Sequence, residues 1–328
     1  MSRFAKELFE TRKDLVIATG SNEKTVIYKD AKCPIYNYIL SLSSGASKET
    51  AARVLKAVAK HLKRNSIYDI NWQNFTGAAL NSVIDSFKSN GNYAPKTITL
   101  YVSIIKQVVE HAYLLGYMSG LQRDAIKMVK AKTGSRSKEY RLLNHSEVSE
   151  LLNSISSNSA EHMPNIGEHV ARVRDYAIFS ILTRCGLRRQ EVVGLKVSDV
   201  GAKALRVIGK GNKERKVSLH PVVLEAIRGW LDIHKNSNEN SPLFVRILKG
   251  GHIQKTPMSA DAIFKLCAKY GAPPPHSLRR SFATNLYKNG ANIKNISLLL
   301  GHSQIATTEL YVHRDDDDLY KDVMDNLL

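Results

Sequence analysis

Residues 131–141, AKTGSRSKEYR, are polar, basic and nearly free of apolar side chains. Such a stretch cannot bury itself, so it must connect two bodies that can. The patterns on its two sides differ. Ahead of it, apolar residues recur at helical spacing; beyond it, a β-prone hairpin is set among helices. The 328 residues also exceed the ~250–300 at which a single core usually stops growing. The expectation is a mainly α chain of two domains: a helical one over 31–130 and an α+β one with a small β-sheet over 142–313. A tail helix is expected over 314–328, and residues 1–30 carry no readable pattern.

Within the first domain, Ala51 to Leu62 places Val54, Leu55, Val58 and Leu62 on one helical face, with Ser47 as the expected N-cap. A second helix is expected near Ala78 to Phe87, broken by Ser89-Asn90-Gly91-Asn92. A long one over about Lys96 to Leu115 turns Ile98, Tyr101, Ile104, Ile105 and Val108 inward. Beyond the connector, Asn144 and Glu147 have capping-box spacing. Lys203 to Gly209 and Arg215 to Leu219 read as a hairpin joined by turn residues. Residues 243–258 read as extended and loop-like around Gly250-Gly251. Two further helices follow, one ending near Asn289-Gly290 and one at Gly301, a glycine C-cap.

Composition narrows the function. Hydrophobic content of 43% and charged content of 24% are globular values, which excludes a disordered tail or a fibre. No run of about 18 apolar residues spans a membrane, and the N-terminus lacks the apolar core of a signal peptide. Cys33, Cys185 and Cys267 are too scattered for a metal site or a disulfide framework, and read as reduced thiols in a cytoplasmic protein. The net charge is +18, with +12 in residues 1–141 and +6 in 142–328. A solvated basic surface is the bland explanation. Basic charge in both halves also suits a polyanion gripped from two sides, most simply nucleic acid.

Four segments stand out: Gly186-Leu187-Arg188-Arg189-Gln190-Glu191, the hairpin with Lys210, His276-Ser277-Leu278-Arg279, and Leu299-Leu300-Gly301-His302-Ser303 followed by Thr307-Thr308 and Tyr311. None is specific alone. A helical arginine is usually solvated, a lysine in a turn usually exposed, and His302 could simply cap a helix. Together, two arginines, a lysine, two histidines and a tyrosine suit attack on a phosphodiester. Guanidinium forks match non-bridging phosphate oxygens and stabilise the extra transition-state charge. Tyrosine is a nucleophile whose pKa of ~10 calls for a base or a cationic field. A neutral histidine can take its proton, and a lysine can protonate the departing sugar oxygen.

This set resembles the tyrosine recombinases, the phage-integrase superfamily, and is most similar to the Xer-like branch. TRCGLRRQEVVGL resembles the first box, with the catalytic arginine at Arg188 and the family's acidic position, a supporting one, at Glu191. VIGKGNKERKVSL resembles the hairpin, with the catalytic lysine at Lys210. HSLRRSFATNL gives His276 and Arg279, and LLGHSQIATTELYVH gives His302 and, nine residues on, the nucleophile Tyr311. That spacing favours Tyr311 over Tyr287 and Tyr320. One departure is visible: the family often has a second histidine after the second-box arginine, where this chain has Arg280.

The resemblance implies an N-terminal core-binding domain of SAM-like helical fold and a C-terminal catalytic domain clamped on duplex DNA. It implies cleavage through a 3′-phosphotyrosyl intermediate, with neither metal nor other cofactor. The implied partners are a recombination site with inverted half-sites and three further copies of the chain in a tetrameric synapse. A related recombinase or an accessory DNA-bending protein is a further candidate, in a cytoplasmic, nucleoid-associated setting. Leu319, Val323, Met324, Leu327 and Leu328 form an apolar stripe on a tail too short to fold alone, which fits docking at home or on the next protomer. A type IB topoisomerase-like nicking-closing enzyme and a non-enzymatic DNA-binding regulator are the alternatives. The sequence leaves the target site open, and with it the choice among phage integration, transposon resolution, integron exchange and dimer resolution.

Overall fold

The computed structural model describes residues 15–18, 24–27, 30–89, 91, 93–131, 140–157, 166–209, 211–234 and 238–312. The chain divides into two compact units, Met1–Lys138 and Glu139–Leu328. It is mostly helical, with three two-stranded antiparallel sheets among the described residues. None of the described helices is long and apolar enough to cross a membrane.

The first unit opens with a hairpin of β1 (Leu15–Ala18) and β2 (Lys24–Ile27), paired from Leu15↔Ile27 to Ala18↔Lys24. It lies in the stretch where the sequence pattern was silent, because Leu15–Ala18 is a continuous apolar run that periodicity cannot assign to a strand. Five helices follow: α1 (Pro34–Ser41), α2 (Gly45–His61), α3 (Gly77–Ser89), α4 (Pro95–Leu114) and α5 (Gly120–Met128). The expected cap of α2 is corrected by one turn. Ser44 is the N-cap, and its hydroxyl accepts the Ser47 amide at 3.2 Å. Ser47 is thus inside the first turn, as a donor to the cap. The long helix α4 starts on Pro95, whose missing N–H costs nothing in a first turn. It buries Ile98, Tyr101, Ile104, Ile105 and Val108, the face read from the sequence, against Leu55, Leu80 and Phe87.

The second unit is built round α7 (Ile166–Arg184), whose neighbours are α6 (His145–Ser157), α9 (Pro221–Ile233) and α11 (Pro275–Lys288). Residues 177–183 of α7 are buried without interruption, so this helix has no solvent face there. The Asn144–Glu147 capping box opens α6 with bonds of 2.7 and 3.0 Å. Cys185 and Cys267 fill this core, while Cys33 is half-buried in the first unit.

After α8 (Arg189–Gly194) comes the expected hairpin, β3 (Ala204–Ile208) with β4 (Glu214–Ser218). Residues 243–258 are extended and turn at Gly250-Gly251, as read, but they are also paired: β5 (Val245–Ile247) bonds to β6 (Ile253–Pro257). The pairing is irregular between Val245 and Ile247, and a three-residue strand with a bulge leaves no periodic trace. Buried Asp175 anchors this region. It binds Arg174 at 2.7 Å and accepts from the Tyr270 hydroxyl at 3.0 Å, and Arg174 in turn donates to the Val245 carbonyl. The unit continues through α10 (Ala260–Lys269), α11, α12 (Ile293–Leu300) and α13 (Ile305–Glu309).

Candidate active site

Two glycine-dependent turns deliver most of the site. Gly186 ends the approach from α7 with φ +62°, and a Cβ there would lie 2.4 Å from the Phe282 ring. The turn makes Arg188 the residue that caps α8 and puts Glu191 in its first helical turn, with the Arg188 amide donating to Glu191 Oε2 at 2.8 Å. At the end of α12, Gly301 has φ +64°. Its amide donates to Leu298 O and the His302 amide to Ser297 O, both at 3.0 Å. That is the paired bonding of a Schellman end, and it fixes His302 just beyond the helix.

Glu191 is 5% exposed and is the hub of the site. Arg188 Nη1 donates to it at 2.8 Å. Arg215 donates two bonds, at 3.0 and 2.9 Å, and Arg279 Nη1 lies 3.7 Å away. Burial opposes the charge on Glu191, yet the bonds from Arg215 and Arg188 outweigh it and hold the carboxyl below the usual range. Three guanidiniums share one carboxylate, so the cluster keeps an excess of positive charge.

Arg279 is 1% exposed and sits on α11. It donates to the Gly186 carbonyl at 2.6 Å, to the Leu300 carbonyl at 2.5 Å and to His302 Nε2 at 3.0 Å. Burial, then the charge of Arg188, pushes its pKa down to about 10. A guanidinium has only donors, so His302 Nε2 must be the acceptor. The His302 proton is therefore on Nδ1, bonded to the buried Thr308 hydroxyl at 2.8 Å. Burial and the charges of Arg279, Arg188 and Arg215 lower the His302 pKa to about 4, so this imidazole is neutral at pH 7.

Tyr311 is 8% exposed and follows α13. Its ring meets His302 edge-on at 4.9 Å between centroids and His276 at 5.2 Å. Its carbonyl accepts from the Thr284 hydroxyl at 3.0 Å. His276 itself is exposed in the first turn of α11, after Pro273-Pro274-Pro275. Arg188, Glu191, His276, Arg279, His302 and Tyr311 thus form one connected cluster. Lys210 and the tail over 314–328 lie outside the described residues. Gly209, one position before Lys210, is described: a Cβ there would lie 3.4 Å from Glu191 Oε1.

Sequence reasoning missed Arg215, and it singled out Thr308, beside Thr307, without the role that its bond to His302 gives it. Arg215 ties the β4 strand to the hub and donates to the Leu299 carbonyl at 3.0 Å, with its stem against Gly301. The signal was available as a period of two. Arg215 stands two positions before buried Val217, on the face of β4 that turns inward.

Residues 141–318 match the Phage integrase family. The chain is 34% identical over 256 residues to a tyrosine recombinase XerC of Alcanivorax borkumensis, covering 74% of this chain and 77% of that protein. It is 28% identical over 312 residues to the XerC of Actinobacillus pleuropneumoniae serotype 7, covering 92% and 94%. A XerC of Rhodospirillum centenum is 39% identical over 153 residues, 45% of this chain and 44% of that protein. In fold, the chain is similar to the Tn1549 transposon integrase in complex with transposon right end DNA, at TM-score 0.66 and 17% identity over 90% of this chain and 99% of that one. Since the family match covers more than half of the sequence, and the boxes behind the resemblance meet in one cluster, the chain belongs to the phage integrase family as a tyrosine-type site-specific recombinase of the Xer-like branch.

Proposed function

We propose that the chain cuts and rejoins duplex DNA by transesterification at Tyr311 and exchanges strands between paired sites. The observation that carries this reading is the edge-on contact of Tyr311 with both His276 and His302, where His302 is itself bonded to Arg279. A nucleophile candidate, a neutral imidazole and a desolvated cation meet there. The scissile phosphate would sit against Arg188 and Arg279. Arg279 Nε is buried without a hydrogen-bond partner among the described residues, which leaves it as a donor for a phosphate oxygen.

Tyr311 Oη attacks phosphorus as the bond to the 5′-oxygen breaks. The products are a 3′-phosphotyrosyl bond and a 5′-hydroxyl. We assign the Tyr311 proton to His276, the exposed imidazole whose ring meets that of Tyr311 edge-on. Lys210 protonates the 5′-oxygen, a role carried over from the resemblance. The 5′-hydroxyl of a partner strand then reverses the step. One phosphoester replaces another of similar energy, so the exchange calls for neither ATP nor metal.

Duplex DNA as the partner is supported by the +18 charge and by the likeness in fold to the Tn1549 integrase in its complex with transposon right end DNA. Phosphate contacts would make binding strongly salt-dependent. Exchange between two sites calls for four protomers, and the apolar stripe of the tail is the segment we assign to their assembly. Two DNA fragments carrying a site found by footprinting, mixed with the protein in EDTA without ATP, are expected to yield recombinant joints. Relaxation of supercoils without joints would instead make the chain a nicking-closing enzyme.

A further inference from the structure

Arg280 is outside the set assigned above, in the place where the family often has a histidine. It follows Arg279 on α11, about 100° round the helix. Arg279 enters the carbonyl cluster; Arg280 turns to the nucleophile. Its Nη2 donates to the carbonyl of Leu310, the residue before Tyr311. Its guanidinium carbon lies 5.3 Å from the centre of the Tyr311 ring and 4.0 Å from that of Tyr140. Both distances are within the range of cation–π attraction.

One turn along α11, Thr284 holds the next carbonyl, that of Tyr311. Two side chains on one helical face thus bind two consecutive carbonyls of the nucleophile's segment. That segment leaves a five-residue helix, whose last carbonyls have no partner within the helix. Without Arg280, the Leu310 carbonyl loses its donor and the ring loses its cation. An imidazole cannot replace this arrangement. It has at most two N–H groups, whereas a guanidinium offers five donors and a flat charged face at once.

We propose that Arg280 is a positioning residue for the nucleophile, clamping the Leu310 carbonyl and the Tyr311 ring while stacking on Tyr140. Tyr140 stands at the start of the second unit, so the clamp ties the nucleophile's segment to the point where the chain enters that unit. This inference rests on the assignment of Tyr311 as nucleophile.

The test separates the nucleophile from the phosphate-binding groups. A nicked half-site substrate measures covalent capture by Tyr311 at saturating DNA. A second substrate carries a 3′-(4-nitrophenyl phosphate) and is assayed in the Tyr311→Phe background, where only the 5′-hydroxyl of a DNA strand can expel 4-nitrophenolate. Arg280→Ala is expected to slow capture about 10²-fold, the scale of an ångström-sized misplacement. Half-site binding and nitrophenolate release are expected to stay within about twofold of the parent, whereas Arg279→Ala loses both reactions. Tyr140→Ala is expected to slow capture by a smaller factor and to add little to Arg280→Ala. Arg280→Lys, which keeps the charge but loses the fork, is expected to recover part of the rate and serves if the alanine variant does not fold. Full-rate capture by Arg280→Ala would overturn the proposal. So would a parallel loss of nitrophenolate release, because Arg280 would then act on the phosphate or on the fold. Tyr311→Phe is the control: if it still captures DNA, the nucleophile assignment itself fails, whatever Arg280 does.

Discussion

Arg279→Ala is expected to give a folded protein whose DNA cleavage has fallen about 10³-fold. The two halves of that expectation have different causes. In the folded state the variant leaves the carbonyls of Gly186 and Leu300 without their donor. Each buried, unpaired carbonyl costs roughly 1–3 kcal/mol. Against this, burial holds the Arg279 pKa down to about 10. Keeping that charge in place therefore costs stability, which alanine recovers. The two effects oppose each other, so thermal unfolding should move far less than cleavage does. Nothing cancels the loss at the phosphate. A buried cation that contributes little net stability is explained by the charge it offers a transition state. Single-turnover cleavage and a melting curve on the same sample check both halves. Cleavage within tenfold of the parent would contradict the assignment.

Glu191→Ala should be the most destabilising change in the site. It leaves Arg188, Arg215 and Arg279 without their shared carboxylate, and removing one partner of a buried pair typically costs 3–5 kcal/mol. The pH dependence has a definite sign. The Glu191 carboxyl is held below its ordinary value, ~4.3 for a free glutamate, in the folded protein. Its stabilising contribution is therefore complete above that value and is lost as pH falls through the lower, folded one. Glu191→Gln removes this contribution without a large change of shape. The gap in melting temperature between the parent and this variant should be widest near pH 7 and should close below about pH 4. Parallel curves across that range would show that Glu191 is not the charge that orders the cluster. Cleavage should fall as well, because the Glu191 carboxylate fixes the Arg188 fork.

What could be read beforehand depended on pattern length. The face of α4 repeats over 20 residues, so its buried positions were legible. The Gly301 cap was legible because one residue type answers one backbone need. The β3–β4 hairpin was legible because turn residues join its two five-residue strands, whereas β1 is an unbroken apolar run and the β5–β6 pairing is interrupted between Val245 and Ile247. In the site, the boxes that carry the family resemblance singled out Arg188, His276, Arg279, His302 and Tyr311, and the fold brings these five into one cluster. Arg215 escaped because a charged residue in a strand reads as solvent-facing; only its alternation with Val217 turns it inward. The His302 tautomer could not have been read at all. It follows from Arg279 on one nitrogen and Thr308 on the other, contacts separated by 23 and 6 positions in the chain.

Tyr311 is the residue expected to become joined to DNA. A nicked half-site, whose short downstream strand diffuses away after cleavage, should trap the covalent complex. Protease digestion and mass spectrometry of the DNA-linked peptide would then place the bond. The 3′-phosphate is expected on Tyr311, with no trapped complex for Tyr311→Phe. A nucleotide on Tyr287, Tyr320 or any other residue, or a complex that survives the Phe substitution, would contradict this assignment.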